Sequence, residues 1–169
     1  DVKVALALER CQAYATEAQA LVADGGDAVQ KVSVEYTKLF VGPPSPAAAP
    51  WETMHRGDGA TVGFGEATFE MQRLLREAGL EVSNENNQYA DHIGIELLYA
   101  SVLCNRAAEA AGAGDGARES ETAAQLAQFV DAHPLAWIGR LITAVTEAAA
   151  NGYIVRLLEL AQAILATLR

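Results

Sequence analysis

The chain has 169 residues, 51% of them hydrophobic, and a formal net charge of -10. That length supports one domain burying about 70% of the surface its unfolded form exposes, and the apolar content argues against disorder. The acidic field repels phosphate backbones and anionic lipid, which counts against nucleic-acid and membrane-surface roles; it serves plain solubility or attracts a basic peptide.

Alanine and leucine dominate and strand-favouring residues are sparse, so composition leans towards helix. In residues 1–24, Leu8, Cys11, Ala15, Ala18 and Val22 recur at the three-and-four spacing of one helix face. Asp24-Gly25-Gly26-Asp27 ends that helix, and Asp27 is placed to cap the next. The second helix is expected to reach about Phe40, with Val29, Val32, Tyr36, Leu39 and Phe40 on one side. Residues 41–50, VGPPSPAAAP, hold four prolines and predict a stiff, extended loop.

A turn around Trp51–His55 and a glycine-rich stretch lead into a helix from about Glu66 to Glu77, stopped by Gly79. The polar residues Ser83 to Gln88 form a loop and offer Asn87 as the cap of a helix from Tyr89 to about Ala111. That helix is apolar nearly all round, which suits the middle of a bundle. Gly112–Gly116 predicts a linker, followed by a helix to about Asp131. Pro134 opens a helix carrying Trp137, Ile138, Leu141, Ile142 and Val145, and Asn151-Gly152 separates it from a last helix. The expectation is all-α: a single-domain bundle over 1–169 with about seven helices and no sheet.

Chemical motifs are lacking. No G-x-S-x-G nucleophile turn exists, and RGDGATVGFGEAT lacks the G-K-[ST] ending of a phosphate loop. His55, His92 and His133 are scattered, and Cys11 and Cys104 lie far apart outside any CxxC pair. No metal-ligand spacing results, and both thiols read as reduced core residues of a cytosolic protein. Nothing calls for a cofactor, a metal or catalysis. No apolar run approaches the roughly 20 residues that span a bilayer, and no signal peptide is visible.

Local signatures say more. Glu35–Pro43 (EYTKLFVGP) resembles the EYxxLFxGP block of the TorD/DmsD family of redox-enzyme maturation chaperones. Ala49–Met54 is similar to the aromatic-acid turn that follows a proline-rich loop there. Asn87–Gly94, continuing into Glu96-Leu97, resembles the family's NEPxDHIG…EL segment, and Phe129, His133 and Trp137 share the spacing of its FxxxHxxxW helix pair. The matches come in order over roughly residues 35–160. Gln88 and Tyr89 depart from the pattern, standing where the family often has Glu and Pro. The helical region ahead of Glu35 is also short, which implies either that residues precede this sequence or that a second copy supplies a helix by domain swapping.

The resemblance implies a non-catalytic cytoplasmic chaperone. It would bind the apo form of a molybdenum-cofactor oxidoreductase, or its twin-arginine signal peptide, until cofactor is inserted. By match, Tyr36, Phe40, Gly42, Pro43, Trp51, Asp91, His92 and Glu96 would form the peptide-binding region. Tyr36 and Phe40 are one helical turn apart and offer either an aromatic floor or ordinary core. Asp91 supplies a carboxylate for an arginine or simply favours a helix N-terminus. His92 and Glu96 share a face and are placed to pair, although a structural histidine fits the same pattern. Other readings stay open: a chaperone of a non-exported enzyme, a homodimerisation module, or an enzyme using Asp91 and His92 as acid and base.

Overall fold

A computed structural model describes residues 1–42, 45–57, 64–81 and 88–169. Among them run seven α-helices, and the only extended pairing is one isolated antiparallel bridge between Trp51 and His92. The all-α expectation holds. The chain divides into two compact units, one of residues 1–49 and 138–167, the other of residues 50–137 and 168–169.

The first unit holds α1 (Val2–Ala23), α2 (Ala28–Tyr36), most of α6 (Pro134–Ala149) and α7 (Tyr153–Leu165). Asp1 takes the free amides of Lys3 and Val4, and Asp27 takes that of Gln30, so both early helices start on a carboxylate. Helix α1 lies along α7. Arg10 pairs with Glu159 at 2.8 Å, and the Arg156 guanidinium sits 5.0 Å above the Tyr14 ring. The core comes from Ile138, Leu141, Val145, Val155, Leu158 and Leu165, with Leu39 and Ala48 buried as well. Cys11 and Cys104 are free thiols but half-buried, not the core residues expected.

Helix α2 does not continue to Phe40 as an α-helix. Its ladder widens over Thr37–Val41 into a single π-turn, closed by the Gly42 amide donating to the Thr37 carbonyl at 2.8 Å. Gly42 has φ 67°, and a Cβ there would strike the Ser45 backbone. The loop then folds back, with the Ala48 amide donating to the Leu39 carbonyl at 2.9 Å.

Glu35 reaches a distant helix. Its carboxylate accepts the amides of Tyr153 and Ile154 at 3.0 and 2.9 Å, supplying the cap that α7 lacks locally. A Cβ on Gly152 would run into that carboxylate. Glu35→Ala is therefore expected to cost about 1–2 kcal/mol in urea unfolding, the range for a lost helix cap. Gly152→Ala should destabilise by displacing the same carboxylate, and the two losses should not add.

The second unit contains α3 (Glu66–Glu77), α4 (Ile93–Gly112), α5 (Gly116–Ala132) and the first turn of α6. Helix α3 buries Ala67, Thr68, Met71 and Leu75 on one stripe, and its end is held by Arg106 donating to the Ala78 carbonyl at 2.7 Å. Helix α4 packs on α5 through Tyr99 and Phe129, edge to face at 4.6 Å. It starts at Ile93, not Tyr89, and its cap is His92; the expected cap Asn87 lies outside the described residues. The delay has a cause. The Glu52 amide donates to the Asp91 carbonyl and the Ile93 amide to the Pro50 carbonyl, both at 2.9 Å, which holds His92 extended. The linker at 112–116 shrinks to Ala113–Asp115. No described helix is long and apolar enough to cross a membrane.

Candidate functional site

The site grows from the short pairing of residues 50–52 with 91–93. Glu52–Met54 forms one 3-10 turn there, presenting Trp51 on one side and Glu52 on the other. Asp91 fastens this turn. Its carboxylate is fully buried and accepts the Thr53 amide and the Thr68 hydroxyl, each at 2.9 Å. Both oxygens are thus committed inside the protein, and the arginine contact expected of Asp91 is not available in this conformation.

Behind the turn lies a polar network. Glu52 is fully buried; Oε1 accepts from Arg56 Nε at 2.8 Å, and Oε2 lies 2.9 Å from Nδ1 of His133. Arg56 also pairs with Glu70 at 2.6 Å. Glu96, equally buried, accepts the indole N–H of Trp137 at 3.0 Å. Burial acts to raise the Glu52 carboxyl, but His133 and Arg56 outweigh it and hold the group below its ordinary range. Burial first, and then the charge of Glu52, push Glu96 well above that range. Two adjacent carboxyls with opposed environments are the pattern of one ionised and one neutral group.

His92 does not pair with Glu96. Its Nδ1 accepts the Gly94 amide at 3.0 Å, capping its own helix, and burial lowers the imidazole below its usual value against the opposing charge of Asp91. The physical reason is the cap: an extended N-cap residue folds its side chain over its own first turn, away from the residue one turn on. Glu52, Glu96 and His133 do offer three ligand atoms within 4.8 Å of one another. The Arg56 guanidinium on Glu52, 3.4 Å from His133 Nδ1, already supplies the compensating charge, so the three read as an ion-pair network, not a cation site.

Outside the turn, aromatic rings adjoin in series. Trp51 meets Tyr89 at 5.8 Å, Tyr89 meets Phe64 at 5.5 Å, and Phe64 meets Phe69 at 5.0 Å. Phe64, Phe69 and Tyr89 are 44, 57 and 37% exposed, far more than structural rings require. A cleft of about 450 Å³ opens beside them, lined by Phe64, Leu75, Leu80, Tyr89 and Arg76. Of the sequence-predicted residues, Trp51, Asp91, His92 and Glu96 belong to this unit. Tyr36, Phe40 and Gly42 belong to the other, and Pro43 lies outside the described residues. There Tyr36, itself 45% exposed, meets Phe40 edge-on at 5.2 Å and helps line an apolar cavity of about 580 Å³ with Tyr14, Val29, Val32 and Tyr153.

Sequence reasoning missed Phe64, Phe69 and the Glu52–Arg56–His133 network. A signal existed only for the adjoining Glu96–Trp137 pair: a glutamate inside the greasy run IGIELLYASVL, and a core tryptophan whose N–H needs an acceptor.

Comparison with known proteins settles the lineage. Residues 4–143 match the model of the nitrate reductase delta subunit family. The chain belongs to that family. Among its relatives is the chaperone protein TorD of Shewanella pealeana, 25% identical over 127 residues that make up 71% of this chain and 51% of the relative. The chaperone protein TorD of Shewanella oneidensis is 26% identical over 122 residues, 72% of this chain and 50% of the relative. The Tat proofreading chaperone DmsD of Salmonella typhi is 32% identical over 68 residues, 40% of this chain and 33% of the relative. The chain spans about half the length of the TorD relatives it matches. No solved structure gives a significant match. The sequence resemblance to TorD and DmsD is borne out, and the relatives' names are those of chaperones.

Proposed function

We propose that this chain is a cytoplasmic maturation chaperone that holds the twin-arginine signal peptide of a molybdenum-cofactor oxidoreductase, using the aromatic face beside the 52–54 turn. The observation that carries the reading is that face. Exposed rings in mutual contact, next to a cleft of mixed apolar and polar lining, suit the apolar stretch of an extended peptide. Glu66, exposed one helical turn before Phe69, takes the arginine-binding role for which Asp91 is too deeply committed. The net charge of -10 favours a basic peptide over an acidic one. In this reading Asp91 and His92 build the platform, while Trp51 and Tyr89 form its floor. Tyr36, Phe40, Gly42 and Pro43 are assigned to a separate apolar contact with the same client.

The test is a calorimetric titration of the native protein, Phe69→Ser and Glu66→Gln with a twin-arginine signal peptide and with a control whose two arginines are alanine. Micromolar binding is expected, weakened about tenfold by Phe69→Ser, the worth of one aromatic contact in an interface. Glu66→Gln should lower affinity for the arginine peptide alone. Equal binding of both peptides would remove the arginine role. Absence of any binding would move the client contact to the mature oxidoreductase.

A further inference from the structure

Three fully buried carboxylates converge beneath the Trp51 turn. Asp91 is satisfied by Thr53 and Thr68, and Glu52 by Arg56 and His133. Glu96 is not. Its Oε2 takes the Trp137 N–H, while Oε1 is buried with no protein donor, and the Glu52 and Glu96 carboxylates bring oxygens within 4.8 Å of each other. An ionised Glu96 would set a charge against a second, fully buried carboxylate, a costly arrangement. A proton on Oε1 removes that charge and creates a donor where one is missing.

We propose that Glu96 acts as a neutral carboxylic acid whose Oε1–H donates to the Glu52 carboxylate, and that this bond latches the 52–54 turn onto α4 and so sets the position of Trp51. Glu96 is a positioning residue. It touches no peptide, but it joins α4 to the turn, and through Glu52 and Trp137 to the His133–Trp137 corner between α5 and α6. The groups facing it are Glu52 from the turn, Asp91 ahead of α4, His133 at the end of α5 and the Trp137 N–H of α6. Arg56 is spent on Glu52 and on Glu70 of α3. The charges that bear on Glu96, those of Glu52 and Asp91, are both negative and favour the proton.

The sign of the pH response follows. A carboxyl that holds its proton more tightly folded than unfolded stabilises the fold fully below the ordinary glutamate range. That contribution is lost as pH rises towards the folded titration point. The latch is therefore closed in acid and loosened by base. Its use for a client rests on the aromatic-face reading above, whereas its existence does not.

The variant that isolates it is Glu96→Gln. The amide donates to Glu52 and accepts from Trp137 as the neutral acid does, but cannot ionise. Three readouts are taken on the full chain: the infrared band of a protonated carboxyl, amide exchange at Glu52 and Ile93 across pH, and peptide affinity. The native protein is expected to show the band above the pH range in which ordinary glutamates ionise, and Glu96→Gln to lack it. Native protection at Glu52 and Ile93 should fall about tenfold as pH is raised through the titration, the weight of one hydrogen bond to a charged group, and stay flat in Glu96→Gln. Glu96→Ala should be loosened at every pH. A band that survives Glu96→Gln, or native protection that ignores pH, overturns the latch. If both readouts appear as expected and no peptide binds, the latch stands and the aromatic-face reading fails.

Discussion

Glu52→Ala is expected to cost about 3–5 kcal/mol of folding stability, the penalty for removing one partner of a buried ion pair. The alanine leaves Arg56 with Glu70 alone and strands the His133 ring, 7% exposed, without its acceptor. It also withdraws the acceptor that the Glu96 proton uses. Because the Glu52 amide donation to Asp91 is backbone, the bridge keeps that bond, the Ile93–Pro50 bond and the Thr53 amide on Asp91. Urea unfolding followed by circular dichroism measures the loss. A change below about 1 kcal/mol would mean that the network is exposed surface chemistry of small worth.

Trp137→Ala is expected to be as damaging, at about 3–5 kcal/mol, the range for emptying an aromatic core position. Trp137 is 1% exposed and stacks on His55 at 5.1 Å, so little can collapse into the space. Trp137→Phe separates the two components. It keeps most of the volume and removes only the indole N–H, leaving Glu96 Oε2 without a donor, at a cost of about 1–3 kcal/mol. If Phe and Ala variants unfold at the same urea concentration, the hydrogen bond dominates. If Phe matches the native protein, packing does, and Glu96 gains nothing from the tryptophan.

How far these features could be read beforehand varied with the range of the interactions that make them. Helix α3 fell where Glu66, Glu77 and the stop at Gly79 put it, because its stripe and the Gly79 turn are local signals. The stripe Trp137, Ile138, Leu141 and Val145 was equally legible from spacing, and all four are buried. Helix α4 began later than its composition suggests, since pairing with residues 50–52 competes for the backbone of 91–93, and no local rule encodes a partner some 40 residues away. The π-turn at Thr37–Val41 escaped for a similar reason: its shifted ladder depends on Gly42 and on the loop that returns to Leu39. Motif position drew attention to Asp91 and His92, and the structure buries the Asp91 carboxylate and makes His92 the cap of α4. The motif could not say that Thr53, 38 residues earlier, would turn the Asp91 carboxylate inward. The exposed rings Phe64 and Phe69 sat in and beside a glycine-rich stretch where periodicity carries no information.

The Glu35 carboxylate has a consequence for the order of events during synthesis. Residues 50–137 form a nearly continuous unit, whereas residues 1–49 must wait for 138–167 to complete theirs. Helix α7 receives its cap from a residue translated 118 positions earlier. At ribosomal rates of roughly 5–20 residues per second, α1 and α2 therefore spend several seconds without α7 while the intervening unit folds. Leu6, Val22 and Val29, exposed even in the finished protein, are joined in that interval by the surface that α7 later covers. A pulse of protease during translation should nick the first 49 residues well after the 50–137 unit has become resistant.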